Sequence, residues 1–135
     1  MERTFVIIKP DAVEKAVIGD IISFFERNGL KIIGMKMLSL LRKEAEDLYS
    51  VHRDKSFYND LVEFIMSGPI VAMILEGENA IERVREIIGA TDPKKAKAGT
   101  VRAKFGTNIQ VNAVHASDSI ESYKREAPII FGDLK

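Results

Sequence analysis

The sequence predicts an α+β fold: a ferredoxin-like βαββαβ sandwich with a four-stranded antiparallel sheet, a helical insert and one long loop. Three observations carry this reading. Segments of strand character fall at 5–8, 30–41, 70–75 and 111–116. Apolar stripes at helical spacing follow the first and third of them. The stretch between the second and third has helical spacing of its own, while Ala90 to Gln110 shows almost no period.

Phe5-Val6-Ile7-Ile8 is a short apolar run stopped by Pro10, with Lys9 at its end, and it predicts a buried strand. Ile18, Ile21, Ile22 and Phe25 recur at i, i+3, i+4 and i+7, one face of a helix that Asn28-Gly29 closes. Residues 30–41 favour a long strand, although their alternation is imperfect. Ala45, Leu48, Tyr49 and His52 share one face of the next predicted helix, and a second short helix is expected from Tyr58 to Met66. Gly68-Pro69 then breaks the chain before Ile70 to Leu75, the clearest buried strand, which Gly77 ends. Ile81, Val84 and Ile88 form a helical stripe with Arg85 at its border, and Gly89 closes it. The unperiodic stretch from Ala90 is long for a compact domain, and connections of that length are functional or disordered. Val111 to Ala116 reads as the last strand, and Asp118-Ser119-Ile120-Glu121 as a capping box opening a helix. Ile129, Ile130 and Phe131 are expected to dock on the body, leaving only a short tail.

Composition narrows the function classes. The 135 residues fit one domain spanning 1–135, and 46% hydrophobic with 30% charged residues marks a folded globular chain. Twenty basic residues balance twenty acidic ones, so no field for long nucleic acid is expected. No apolar run reaches membrane-span length, and the first residues lack a signal-peptide pattern. Cysteine is absent, which removes disulfides and thiolate chemistry. A cytoplasmic protein is the default expectation.

The segment with chemical content is Asn112-Ala113-Val114-His115-Ala116-Ser117-Asp118. His115 falls where a strand hands over to a helix, and Asn112, Ser117 and Asp118 are close enough in sequence to fix its tautomer. A neutral imidazole is a competent nucleophile near neutral pH and can accept a phosphoryl group. A lone histidine is more often a satisfied core residue, so the rest of the chain must decide.

Residues 112–118 resemble the Asn-x-x-His-Gly-Ser-Asp motif of the nucleoside diphosphate kinase family, departing only at Ala116. The resemblance extends through Arg3-Thr4, Ile8-Lys9-Pro10-Asp11, Tyr49, Phe57, Ser67-Gly68-Pro69, Leu75-Glu76-Gly77, Gly89-Ala90-Thr91-Asp92-Pro93 and Gly99-Thr100-Val101-Arg102, in the family's order and spacing. It implies that His115 becomes a phosphohistidine, that Glu126 orients the other ring nitrogen, and that Ser117 supports Glu126. Arg85, Thr91 and Arg102 match phosphate ligands; Lys9 and Asn112 match groups near the ribose and the transferred phosphate. Phe57 matches the base-stacking aromatic, with Leu61 and Ile109 completing an apolar slot, and Tyr49 matches a tyrosine beside the nucleophile. The long loop then becomes a nucleotide-binding loop. The implied reaction moves the γ-phosphate of ATP or another nucleoside triphosphate to a diphosphate, ping-pong, with broad base tolerance. Mg²⁺ arrives on the nucleotide, without a dedicated protein cage. A homo-oligomer is implied, a hexamer ahead of a tetramer.

Ala116 for Gly, Ser56 for a more typical proline and Lys104 for a common aspartate are the departures. Ala116 is harmless where its φ is negative, loss of the proline loosens the insert, and Lys104 reverses a charge in the loop. Two rivals belong to other classes: a nucleotide-binding regulatory protein without turnover, and a phosphocarrier. The first does not need His115 with Glu126, and the second does not need a base platform.

Overall fold

In a computed structural model the described residues are 1–132. The chain forms β1 (Glu2–Ile8), α1 (Pro10–Glu14), α2 (Ile18–Arg27), β2 (Lys31–Leu38), α3 (Arg42–Leu48), α4 (Tyr58–Ile65), β3 (Ile70–Gly77), α5 (Ala80–Ile88), α6 (Val101–Phe105), β4 (Val114–Ala116) and α7 (Ile120–Phe131). The four strands make one antiparallel sheet in the order β2-β3-β1-β4. This is the α+β, ferredoxin-like arrangement, with α3 and α4 as the helical insert.

Both faces of the sheet are covered, which is why its central strands read as continuous apolar runs rather than alternating ones. Val6, Ile8, Val71, Met73 and Leu75 face α2 and α5 in one core. Phe5, Ile7, Ile70, Ala72 and Ile74 face α3, α4 and α7 in the other. The imperfect alternation of the second strand has a physical cause, a shift of register between Ile32 and Gly34. Ile32 packs on the first core and its neighbour Ile33 on the second, as adjacent residues of a strand do.

Several boundaries differ from the sequence expectations. The second strand stops at Leu38, and the Leu41 N–H is taken by Glu44 Oε1 at 2.8 Å to open α3. Helix α3 ends at Leu48, so His52 is carried by a separate 3₁₀ turn, Ser50–His52. Helix α1 was not expected; Pro10 starts it, where a missing N–H costs nothing. The loop from Ala90 contains α6, capped by Thr100, whose side chain accepts the Ala103 N–H. The N-cap of α7 is Ser119, which accepts from the Ser122 N–H, so the cap lies one residue after Asp118, the first residue of the expected box. Ile130 and Phe131 are buried against the second core as anticipated, whereas most of the expected short tail, residues 133–135, lies outside the described residues.

Candidate active site

The last strand is three residues long rather than six, and the reason lies at Ala113. Its φ is +75°, and the Val114 N–H closes back on Asn112 O at 2.9 Å, a tight three-residue turn. A positive φ costs an alanine roughly 1–2 kcal/mol. The turn is tethered on both sides: Lys9 N–H donates to Ala113 O at 2.8 Å, and Ala113 N–H donates to Asp11 Oδ2 at 3.0 Å. At roughly 1 kcal/mol net for each such bond, the tethers offset the strain. Beyond the turn β4 resumes, with His115 in register with Ile7 and Ala116 with Val6. Ala116 does not take a positive φ, so its methyl group is accommodated.

His115 Nε2 lies 2.8 Å from Glu126 Oε1, a carboxylate supplied by α7 and buried to 4% side-chain exposure. An ionised carboxylate only accepts, so Nε2 carries the proton and Nδ1 carries the lone pair. Ser117 Oγ donates to the same Oε1 at 2.8 Å, and Arg125 Nη2 donates to Oε2 at 3.0 Å. Of the three groups expected to hold the tautomer, Ser117 reaches His115 through Glu126. Asn112 and Asp118 do not contact the ring: Asn112 bonds Lys9, Thr91 and Ile109, and Asp118 accepts from Ser122 Oγ at 2.6 Å. That hydrogen bond, outweighing burial, lowers the Asp118 pKa.

His115 opens on a cavity of about 740 Å³, within the size range of small-ligand sites. Lys9, Tyr49, Phe57, Leu61, Arg85, Thr91, Arg102, Ile109 and Asn112 all line it; Glu126 and Ser117 stand behind the histidine. Buried Lys9 donates to Asn112 Oδ1 at 2.9 Å and to Gln110 O at 3.3 Å. Burial pushes its pKa down to about 8, with the Arg102 charge acting the same way and Asp11 opposing. Arg102 donates from Nη1 to Gly89 O at 3.1 Å and from Nη2 to Val114 O at 2.9 Å, tying the end of α5 to β4. Its Nε is buried without a partner. Burial first, then Arg85, lowers its pKa to about 10, so it remains a cation at neutral pH. Arg85 and Thr91 are exposed at the rim, and Asn112 Nδ2 holds Thr91 O at 3.1 Å.

Tyr49 is buried with its ring edge-on to His115, centroids 5.9 Å apart, and burial raises its pKa. At the opposite end of the cavity, Phe57 and Ile109 are exposed large apolar residues. Exposed aromatic surface beside a cavity marks a binding platform rather than core. Leu61 on α4 supplies the adjoining wall, and Gln110 Nε2 bridges to Asp60 O at 3.0 Å, linking the loop to the insert. The Lys55 ammonium sits 5.6 Å over the Phe57 ring, and Lys104 sits 5.5 Å over Phe105. Nothing in the structure ties Ser56 to another group.

Sequence reasoning gave no role to His52, which the structure puts in the cavity wall between Tyr49 and Phe57. Its Nδ1 is buried without a partner, and burial followed by Lys55 and His115 lowers its pKa. The signal was present in its helical spacing with Tyr49, but the 3₁₀ turn that aims it was not. Asp92, Lys94, Gln110 and Asp118 also line the cavity. Among the described residues no three His, Cys, Asp or Glu side chains stand together as a metal group. Asp92 and Asp118 are single carboxylates, a donor set that suits Mg²⁺ arriving on phosphates, which needs only one or two protein oxygens.

Residues 2–135 match the family model for nucleoside diphosphate kinase. The nucleoside diphosphate kinase of Hyperthermus butylicus is 57% identical over 133 residues, covering 98% of this chain and 94% of the relative. That of Nitratiruptor sp. is 55% identical over 131 residues, covering 97% and 96%. Among solved structures, the Aquifex aeolicus nucleoside diphosphate kinase superposes with a TM-score of 0.94 at 49% identity, over 96% of this chain and 94% of that one. A halophilic nucleoside diphosphate kinase from Halobacterium salinarum, in complex with CDP, gives 0.93 at 42% identity, over 96% and 87%.

Proposed function

Because the chain belongs to the nucleoside diphosphate kinase family and is an enzyme of that class, we propose that it works by ping-pong transfer through a phosphohistidine on His115. One observation carries this: His115 lines the cavity and bonds Glu126 through Nε2 at 2.8 Å, an arrangement that in this reading leaves Nδ1 to take the phosphoryl group.

In this reading the base of a nucleoside triphosphate stacks on Phe57 between Leu61 and Ile109. Stacking without a base-edge code accepts purines and pyrimidines alike. The ribose lies toward Lys9 and Asn112, and Arg85, Thr91 and Arg102 take the phosphates, arginine supplying a planar fork that stays charged. Nδ1 attacks the γ-phosphorus in line; the N–P bond forms as the bond to the β-phosphate oxygen breaks, and the diphosphate leaves with that electron pair. Mg²⁺ carried on the phosphates supplies charge neutralisation. Glu126, held by Ser117, stabilises the positive charge that grows on the ring, while Lys9 and the Tyr49 hydroxyl lie along the path of the transferred group. A second diphosphate then enters the same site and the transfer reverses. The CDP bound by the Halobacterium salinarum relative supports a nucleoside diphosphate as one occupant.

Residues 1–135 act as one domain in this proposal, in the cytoplasm, with no role for long nucleic acid or membrane. No helix among the described residues is long and apolar enough to cross a bilayer. The chain assembles as a homo-oligomer, a hexamer ahead of a tetramer. Association is supported by β2, an edge strand carrying exposed Met35 and Met37.

The test is incubation with γ-labelled ATP and Mg²⁺, then a chase with GDP, UDP or CDP. Acid-labile label on the protein, discharged onto each diphosphate and absent in His115→Ala, is expected. Label that does not discharge would instead mean a phosphocarrier, and nucleotide binding without label a silent relative.

A further inference from the structure

Lys9-Pro10-Asp11 does more than end the first strand. Lys9 grips residues 110–113 through its backbone N–H and its ammonium, and Asp11 Oδ2 accepts the Ala113 N–H at 3.0 Å. Both backbone polar groups of Ala113, the residue with φ +75° two places before His115, are therefore held from this one tripeptide. Asp11 is 8% exposed and lies outside the cavity wall. Its second oxygen, Oδ1, is buried with no partner among the described residues. A neutral amide could accept the Ala113 N–H equally well, so a half-paired buried carboxylate is a costly choice unless its charge has a use.

The use lies at Lys9. Burial and the Arg102 charge from α6 disfavour the charged form of this ammonium, and the smaller influence of Asp11, two residues along the chain on α1, favours it. Arg85 and His115 face the same cavity from α5 and β4.

We propose that Asp11 is a positioning residue for phosphoryl transfer: its carboxylate anchors the Ala113 turn that aims His115 and is the counter-charge of Lys9, without touching substrate. The inference rests on His115 as the phosphoryl acceptor. Asp11→Asn keeps an oxygen for the Ala113 N–H, removes the charge and turns the unpaired Oδ1 into an amide NH2. The alkaline limb of its autophosphorylation rate therefore moves to lower pH, and transfer at pH 8 falls about twofold, while KM at pH 7 changes less. Asp11→Ala removes the anchor as well, and hydrogen exchange at the Ala113 amide accelerates about tenfold or more.

Stopped-flow transfer across pH and amide exchange on the intact protein read both effects. An unmoved alkaline limb in Asp11→Asn, or unchanged Ala113 protection in folded Asp11→Ala, overturns the proposal. If Asp11→Ala does not fold, the limb of Asp11→Asn decides alone. Failure of the wild type to label at His115 would defeat the functional reading itself; wild-type labelling with unmoved variants defeats only the role of Asp11.

Discussion

Lys9 shows how one side chain is placed against its own stability. Its pKa in the folded chain is about 8, below the ordinary 10.5, so between those values the unfolded chain holds a proton that the folded chain has lost. Stability contributed at this site therefore rises with pH through that window, and below it the buried cation costs about 3 kcal/mol. A polyphosphate acts in the opposite sense, because it favours the ammonium. Nucleotide affinity is expected to fall as pH rises above 8, with proton uptake on binding; calorimetric titration in buffers of different ionisation enthalpy measures both. In Lys9→Met the uptake disappears, and its stability advantage over the wild type narrows as pH climbs from 8. Legibility at this scale was uneven. The His115 motif was readable because the histidine and its flanking residues are contiguous in sequence. Glu126 was readable only through the family resemblance, since nothing in a helix sequence distinguishes a carboxylate aimed inward from one in solvent. His52 and Asp11 were missed for the same reason: their roles depend on which way a short turn or a helix start points them.

Elements were legible wherever an apolar period ran long enough. β1, β3, α2 and α5 fell where their runs and stripes put them, because both sheet faces are buried and the helices are amphipathic. α1 and α6 were invisible, since five residues hold too little period to register. The end of α5 shows what such short pieces do. Gly89 has φ +88°, and a methyl there would lie 2.5 Å from Thr100 Oγ1, the cap of α6. Its carbonyl also receives Arg102. Gly89→Ala is expected to cost about 2–4 kcal/mol, from left-handed strain and the clash together, and to raise the nucleotide KM as Arg102 shifts. Gly19 in α2 is the control. A methyl there meets nothing within 4 Å, so Gly19→Ala should gain about 0.5 kcal/mol with unchanged kinetics. Denaturant midpoints and steady-state rates on the two variants would check the contrast, and equal effects would refute it.

At the scale of the molecule, the sheet is covered on both faces but has one long uncovered edge. β2 presents Met35 at 53% and Met37 at 60% exposure on either side of Lys36, apolar surface that an edge strand left in water tends to avoid. The sequence reading expects association from apolar content and the loop around Pro93, whereas β2 was not legible as a candidate surface, because an edge is a property of strand order and not of any one strand. Met35→Glu with Met37→Glu is expected to shift the assembly toward smaller species in sedimentation while leaving label transfer to His115 in place; an unchanged sedimentation profile would move the interface elsewhere.

The strand order has another consequence, in time rather than space. Ile7 lies beside His115, and synthesis runs from the N-terminal side, so β1 is made before β4. Lys9 and Asp11 are thus made 103 and 102 residues before the partners they bond, Asn112 and Ala113. The sheet β2-β3-β1 can assemble before α7 is made, and α7 carries Glu126. A nascent chain that already holds those three strands therefore still lacks the carboxylate that bonds His115.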